Sequence, residues 1–493
     1  MIEGKLKLRT KIAYGMGDIY GGGGATIISM YYMYFLVEVV RLNPALAGTA
    51  FLISKIWDAV TDPFMGIISD NTRTRFGRRR PYFLAGIILI FISFVLMWTP
   101  VGFQKEGSKF IFVLLAYLFF STVYTMVMVP YNALATELTS DYDQRTKLST
   151  YRMIFSNIAG ILAGVLAKDV FVDVMYKDDP AKGFLVMGVV FGLFFSLPYL
   201  ATFFFCEEDP EVMNEPKKKV GSVKDFLKGY LVEPLSLRPF RFVVMMYLFG
   251  FMAQDAVMAM AIFFLNYSLG ISSMMTLLIP VYASMLVAIP VAELVANKIG
   301  KKKTYVLSGF LWIAAFCMIP FMHAGMSTKT IYIFGALFGT AAAGIQVMVF
   351  AMFPDVPDAD ELFSGQRREG IFSGIFTFLR KTGGAIVMFF VGNSMQWAGF
   401  IPPVDKVVDG VTKTVQQTQT PAFLLVLLLI FILVPVIFIV IAIIACGKYP
   451  LTKPVHSRLK NLLKERHAAL QAGRELSSEM AEEEKELKRI LGG

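Results

Sequence analysis

Apolar residues in this chain collect into twelve long blocks, near residues 12–40, 44–70, 81–102, 109–137, 150–172, 183–206, 239–269, 272–297, 304–325, 329–354, 369–400 and 420–447. Each reaches about the 20 residues that an α-helix needs to cross the hydrocarbon of a bilayer. The pattern predicts an all-α membrane protein with twelve transmembrane helices. The first block runs on without a small-residue cleavage site, so it reads as an anchor rather than a secretory signal peptide.

Composition agrees: of 493 residues, 56% are hydrophobic and 17% charged, with a mean hydropathy of +0.60. A net charge of +10 raises the question of a nucleic-acid partner, but the basic residues follow the loops. Lys5, Lys7, Arg9 and Lys11 precede the first block, and Arg73, Arg75, Arg78, Arg79 and Arg80 join the second to the third. Lys217, Lys218 and Lys219 lie mid-chain, and Lys298, Lys301, Lys302 and Lys303 follow the eighth block. The intervening loops are poorer in net positive charge. This bias predicts a multi-pass plasma membrane protein, in a bacterial cell the inner membrane, with both termini cytoplasmic and no nucleic-acid partner.

Little else suggests catalysis. Cys206, Cys317 and Cys446 lie in or at the ends of apolar blocks without metal-ligand spacing and read as inert buried thiols. His323 falls at a block end, and His456 and His467 fall in the tail, so proton coupling would have to use carboxylates. No nucleophile, base and metal gather at one depth, so no enzyme and no cofactor are expected.

An internal repeat keeps one register. Residues 77–80 (GRRR) recur as 300–303 (GKKK), Pro130 recurs as Pro354, and Gln144-Arg145 recurs as Gln366-Arg367. A six-helix unit repeated in parallel predicts two bundles rocking about a midplane site. The expected domains are 1–206, a cytoplasmic linker at 207–238, a second bundle at 239–447 and a cytoplasmic tail at 448–493. Within the linker, 223–231 reads as a short amphipathic helix on the membrane surface, and the charged tail reads as a solvated helix.

Inside the second block stand Asp58 and Asp62, four residues apart and therefore on one helix face. An ionised carboxylate there costs about 2.5–3.5 kcal/mol on insertion scales, so a bound cation, a shared proton or a basic partner must offset it. The pair points to ion coupling. Residues 66–80 (GIISDNTRTRFGRRR) resemble the loop signature of the major facilitator superfamily, which implies a cytoplasmic gate built on Asp70, Arg78 and Arg79. Plain topogenic charge is the alternative.

Four further segments are read together: 14–18 (YGMGD), 57–63 (WDAVTDP), 130–134 (PYNAL) leading to 141–152, and 355 through 368–370 (REG) to Lys381. Together they resemble the glycoside-pentoside-hexuronide:cation symporter family, whose best-known member is the melibiose permease, over nearly the whole chain. The resemblance implies that Asp58 and Asp62 bind the coupling sodium or proton, with Thr125 contributing and Lys381 compensating the acids when the cation leaves. Independently, Asp58, Asp62, Thr61 and Thr125 offer the carboxylate and hydroxyl oxygens that sodium prefers. A permanent structural ion pair is the alternative.

The sugar site departs from the melibiose permease. Its helix-one aspartate aligns with Gly22, and its helix-four aspartate and tryptophan align with Met128 and Asn132, whereas Arg152 matches. A different polar substrate would use Asp18, Asn132, Arg152, Asp255 and Gln346. Asp255 either contacts that substrate or pairs with a basic group the sequence does not identify. The run Gly21–Gly24 implies either close helix packing or a roomy cavity wall.

The expected function is a monomeric symporter that couples sodium or proton entry to uptake of a saccharide of the glycoside, pentoside or hexuronide class. The runner-up is a sodium-coupled lysophospholipid or other amphiphile transporter of the same fold, because Gly22 and Met128 make the cavity less polar. A receptor or scaffold that has lost transport would leave the acid pair dispensable.

Overall fold

A computed structural model describes residues 6–139, 142–208, 233–365, 369–408, 411–471 and 478–492. The amphipathic segment expected at 223–231, the lysines at 217–219 and the landmark Gln366-Arg367 lie outside the described residues.

Helices occupy all twelve apolar blocks. The first begins as α1 (Leu8–Met16) and continues through π-helical turns at Tyr20–Gly24, Ile28–Tyr32 and Phe35–Val39. There follow α2 (Pro44–Asn71), α3 (Arg80–Met97), α4 (Glu106–Leu138), α5 (Tyr142–Lys168), and the sixth crossing, split at Pro198 into α6 (Pro180–Ser196) and α7 (Pro198–Phe205). The second series is α8 (Arg238–Phe263), α9 (Met275–Ile299), α10 (Lys301–Phe316), α11 (Thr328–Met352), a short α12 (Val356–Ser364), α13 (Glu369–Trp397) and α14 (Pro421–Lys448). Local chemistry sets the starts. Asn43 accepts from the Ala45 N–H at 2.9 Å with Pro44 as the first helical residue, and Asp179 accepts from the Lys182 N–H at 3.0 Å ahead of Pro180.

By length and composition alone, eight helices among the described residues are apolar enough to cross a membrane. The other four, namely the first helix, α2, α5 and α13, carry Asp18, the Lys55–Asp58–Asp62 group, Arg152 and the Arg380-Lys381 pair. Asp255 is carried by α8, which is among the eight.

The described chain divides into two compact units. One comprises residues 1–220, 258–278 and 385–430, and within it α2 packs on α4, α3 on α4 and α6, and the first helix on α5. At one end of this unit the Asp169 carboxylate accepts from the backbone N–H groups of Met274 (3.1 Å) and Met275 (2.8 Å), capping the start of α9. The glycine run is a packing device. A Cβ at Gly22 would lie 2.2 Å from Ser156 Oγ and 2.5 Å from the Ser156 carbonyl, and one at Gly23 would lie 2.6 Å from Phe195. The backbone of α5 and a ring fill the space that a roomy wall would have left.

The other unit comprises residues 221–257, 279–384 and 431–493, with α10 packed along α11 and Trp312 set between Phe316 and Phe338. The tail departs from the solvated helix expected. It forms α15 (Lys453–Gln471) and α16 (Ser478–Leu491), which bury Leu459, Leu462, Leu487 and Leu491 against each other and α12. His456 Nε2 meets Asp358 at 2.9 Å and His467 Nε2 meets Glu361 at 2.6 Å. A leucine stripe and two histidines facing acidic residues turn a charged segment into a docked one.

Two further differences are local. Cys317 is exposed, although Cys206 and Cys446 are buried as expected, because it follows the last turn of α10 rather than facing its packed side. A short antiparallel hairpin, β1 (Val404–Val408) with β2 (Val411–Val415), joins α13 to α14 and pairs Val404 with Val415.

Candidate cation and substrate sites

Asp58 and Asp62 face α4 as two rungs one helical turn apart. The Ser121 hydroxyl donates to Asp58 Oδ1, and the Thr125 hydroxyl donates to Asp62 Oδ1 at 2.6 Å, each partner lying 63 residues further along the chain. Equal 3.6-residue periods on two neighbours that run in the same direction produce that constant offset. Ser54 extends the first rung through a 3.2 Å contact to Ser121. Asp58 is buried, and its second oxygen takes an ion pair from Lys55 Nζ at 2.6 Å, one turn earlier on the same helix. Thr61 donates to the Trp57 carbonyl at 3.1 Å, and the Trp57 indole donates to Thr122 at 2.9 Å. Pro63 supplies no N–H, so the Ala59 carbonyl receives no helix bond from that position.

Two carboxylates, two hydroxyls and a carbonyl outside the helix ladder make an oxygen-rich place for a hard monovalent cation. Among the described residues no group of three or more His, Cys, Asp or Glu side chains is arranged to hold a metal ion, so a cation here rests on mixed oxygens. Ser54, Ser121 and Lys55 join the site in addition to the residues expected from sequence. An i, i+3 lysine was visible in principle; Ser121 required the register of α2 against α4. Lys381, assigned to charge compensation, lies half-buried on α13 in the other unit.

The substrate candidates fall into two groups. In the first unit, Arg152 Nε pairs with Asp18 at 3.2 Å, and its guanidinium lies 5.4 Å over the ring of Tyr131. That ring stacks on Tyr14 and donates its hydroxyl to the Tyr14 carbonyl at 2.6 Å. Asn132 is exposed on α4. In the second unit, Arg380 grips Asp255 with both guanidinium nitrogens, the Nη2–Oδ1 contact measuring 2.8 Å, and lies 4.8 Å over Phe251. Gln346 donates to Gln254 at 2.8 Å. The basic partner that the sequence left open for Asp255 is therefore Arg380. In repeat order both Asp–Arg pairs join the first and fifth helices of their six-helix set.

At the basic end of the first unit, Arg79 pairs with Asp70 and with Glu137 (2.9 Å), Arg78 pairs with Glu137 at 2.5 Å, and Ser69 accepts from Arg79. The Glu208 carboxylate accepts three consecutive backbone N–H groups, those of Arg78 (2.5 Å), Arg79 (2.7 Å) and Arg80 (2.9 Å). Gly77, at φ +109°, makes this turn, and a side chain there would strike Glu208. Asp70, Arg78 and Arg79 thus lie in one charge cluster within the first unit, together with Glu137 and Glu208, which the sequence did not single out. The repeat carries this logic onward: 223 residues later stand Glu293, Lys301, Lys302 and Asp360 in place of Asp70, Arg78, Arg79 and Glu137. Lys301 there binds Asp355 at 2.7 Å.

Comparison with known proteins gives consistent results. The family described as "MFS/sugar transport protein" matches residues 13–453. The glucuronide carrier protein homolog of Escherichia coli (strain K12) is 23% identical, covering 91% of this chain and 93% of its own. The sodium-dependent lysophosphatidylcholine symporter 1-A of Danio rerio is 26% identical over 87% of this chain and 86% of its own. Among solved structures, the nucleoside transporter NupG superposes with a TM-score of 0.59 at 15% identity, covering 90% of this chain and 98% of that one.

Proposed function

The chain belongs to the MFS/sugar transport family of membrane transporters, and on that premise we propose that it is a cation-coupled symporter importing a saccharide by alternating access. The observation that carries the reading is the pair of rungs Asp58–Ser121 and Asp62–Thr125 between α2 and α4 of one unit. An acid pair in an apolar block, Asp58 buried and Asp62 half-buried, is costly unless a cation or proton visits it. Lys55 holds Asp58, and an entering cation would compete with that ammonium for the carboxylate. Lys381 is proposed to compensate the acids in the empty carrier.

Saccharide as the cargo is supported by the Asp18–Arg152 pair over Tyr131 and the Asp255–Arg380 pair over Phe251. Carboxylate, guanidinium and ring face are the groups that hold hydroxyls and the apolar face of a pyranose. The second reading, a sodium-coupled lysophospholipid carrier, is favoured by the zebrafish relative and by Met128 where a galactoside carrier has an acid. The two bundles are proposed to be 1–206 and 239–447, with both termini cytoplasmic and the Asp70–Arg79–Glu137 cluster acting as the cytoplasmic gate.

Uptake of labelled glycosides, pentoses, hexuronides and lysophosphatidylcholine into vesicles, with sodium and proton gradients imposed separately, tests the proposal. Accumulation of a sugar driven by either gradient supports it. Gradient-driven uptake of the lysolipid alone transfers the assignment to the second reading.

A further inference from the structure

We infer that the first unit carries a second site, at the end opposite the Arg78–Arg80 turn, that receives a polyhydroxylated solute. A cavity of about 1020 Å³ lies there, bordered by Tyr34, Glu38, Asn266 and Gln416 and rimmed by exposed Phe103. All of these residues belong to the one unit.

The chemistry of the lining selects the occupant. Glu38 is only 3% exposed. Its Oε1 accepts from the Tyr267 hydroxyl at 2.5 Å, while Oε2 is buried with no hydrogen-bond partner. Asn266 repeats the situation: its amide nitrogen reaches the Tyr34 hydroxyl at 3.5 Å, and its carbonyl oxygen is buried and unmatched. The nearby ammonium of Lys168 is committed to Asp173 (2.7 Å) and the Ser272 carbonyl (3.0 Å).

Two acceptor oxygens thus lie desolvated in the wall of the cavity without donors. Hydroxyl groups donate, and a sugar carries several on a rigid ring. A quaternary ammonium headgroup has no N–H or O–H to give, and a lone cation would leave most of this volume unfilled. The volume lies near the upper end of the roughly 300–1,000 Å³ typical of small-molecule pockets. Tyr34 and Phe103 add ring faces, and Gln416, 3.5 Å from the Tyr34 hydroxyl, adds an adaptable amide. A role in capturing substrate before it reaches the Arg152 region rests on the transport reading; occupancy of the cavity does not.

The test uses purified full-length protein in a Cys317→Ser background, which removes the exposed thiol. A reporter thiol is introduced by Asn266→Cys and, separately, at the exposed rim by Gln416→Cys, and its maleimide labelling rate is measured with D-xylose, methyl β-D-glucoside or D-glucuronate. Expected is a several-fold slowing by at least one of these sugars at the rim reporter. It should persist when Arg152→Ala is added and disappear when Glu38→Gln is added. No slowing at either reporter, slowing lost with Arg152→Ala, or equal slowing by sodium or choline chloride overturns the site. Uptake of the same sugars by the unaltered protein is scored separately. Uptake without protection removes this site and leaves transport standing, whereas protection without uptake does the reverse.

Discussion

Arg380 closes on Asp255 with both arms of its guanidinium, joining α13 to α8 within one unit. Only 11% of the Asp255 side chain is exposed, so removing its partner strands a carboxylate in apolar surroundings. Asp255→Asn and Arg380→Gln are each expected to destabilise by an amount toward the lower end of about 3–5 kcal/mol, since the arginine is partly exposed. The double variant should lose less than the sum. Thermal melts in detergent check this, and strictly additive losses would mean that the two side chains act independently.

Glu137 pairs with both Arg78 and Arg79, and Asp70 pairs with Arg79, so Glu137 should matter to the proposed gate more than Asp70. Glu137→Gln is expected to raise thiol accessibility from the cytoplasmic side more than Asp70→Asn does. Unchanged labelling in both variants would leave the loop a purely topogenic role.

Much of this architecture could be read from residue pattern because membrane helices obey a strong local rule. All twelve apolar blocks became helices with ends near those expected, and the offset of 223 joining Arg78 to Lys301 reappears in structurally paired charges. Asp58, Asp62 and Thr125 likewise came together. The register between helices was beyond reach. Nothing in a single chain says that Ser121 opposes Asp58 or that Arg380, rather than Lys381, meets Asp255. Glu208 was hidden because its partners are backbone N–H groups, which have no sequence signature. The 404–415 hairpin did leave a signal, valine-rich runs on either side of an Asp-Gly pair, but it is too short to stand out among long apolar blocks.

The glycine run offers a test of packing against openness. Gly22→Ala should cost about 1–3 kcal/mol by forcing a methyl into Ser156. Gly447→Ala, where no atom lies within 4 Å, should be neutral. Equal melting temperatures for the two variants would restore the roomy wall.

The tail has a pH dependence of defined sign. Arg458 donates to Glu483 at 2.6 and 2.8 Å and holds its carboxyl below the ordinary value. A depressed folded value means the pairing is fully present above the unfolded value, about 4.3 for a glutamate, and is lost as pH falls through the folded one. Amide exchange in 478–491 should therefore quicken relative to the helix core on acidification. Glu483→Gln should remove that step, and an unchanged profile in the variant would assign it to another group.

The central claim is that Asp58 and Asp62 couple cation entry to solute movement. Its most direct test is accumulation against exchange in proteoliposomes containing Asp58→Asn or Asp62→Asn, using whichever solute the unaltered protein concentrates. Each variant should fail to accumulate solute under a sodium or proton gradient while retaining measurable exchange at equal concentrations. Accumulation at the unaltered protein's level by either variant would contradict the coupling role of that carboxylate.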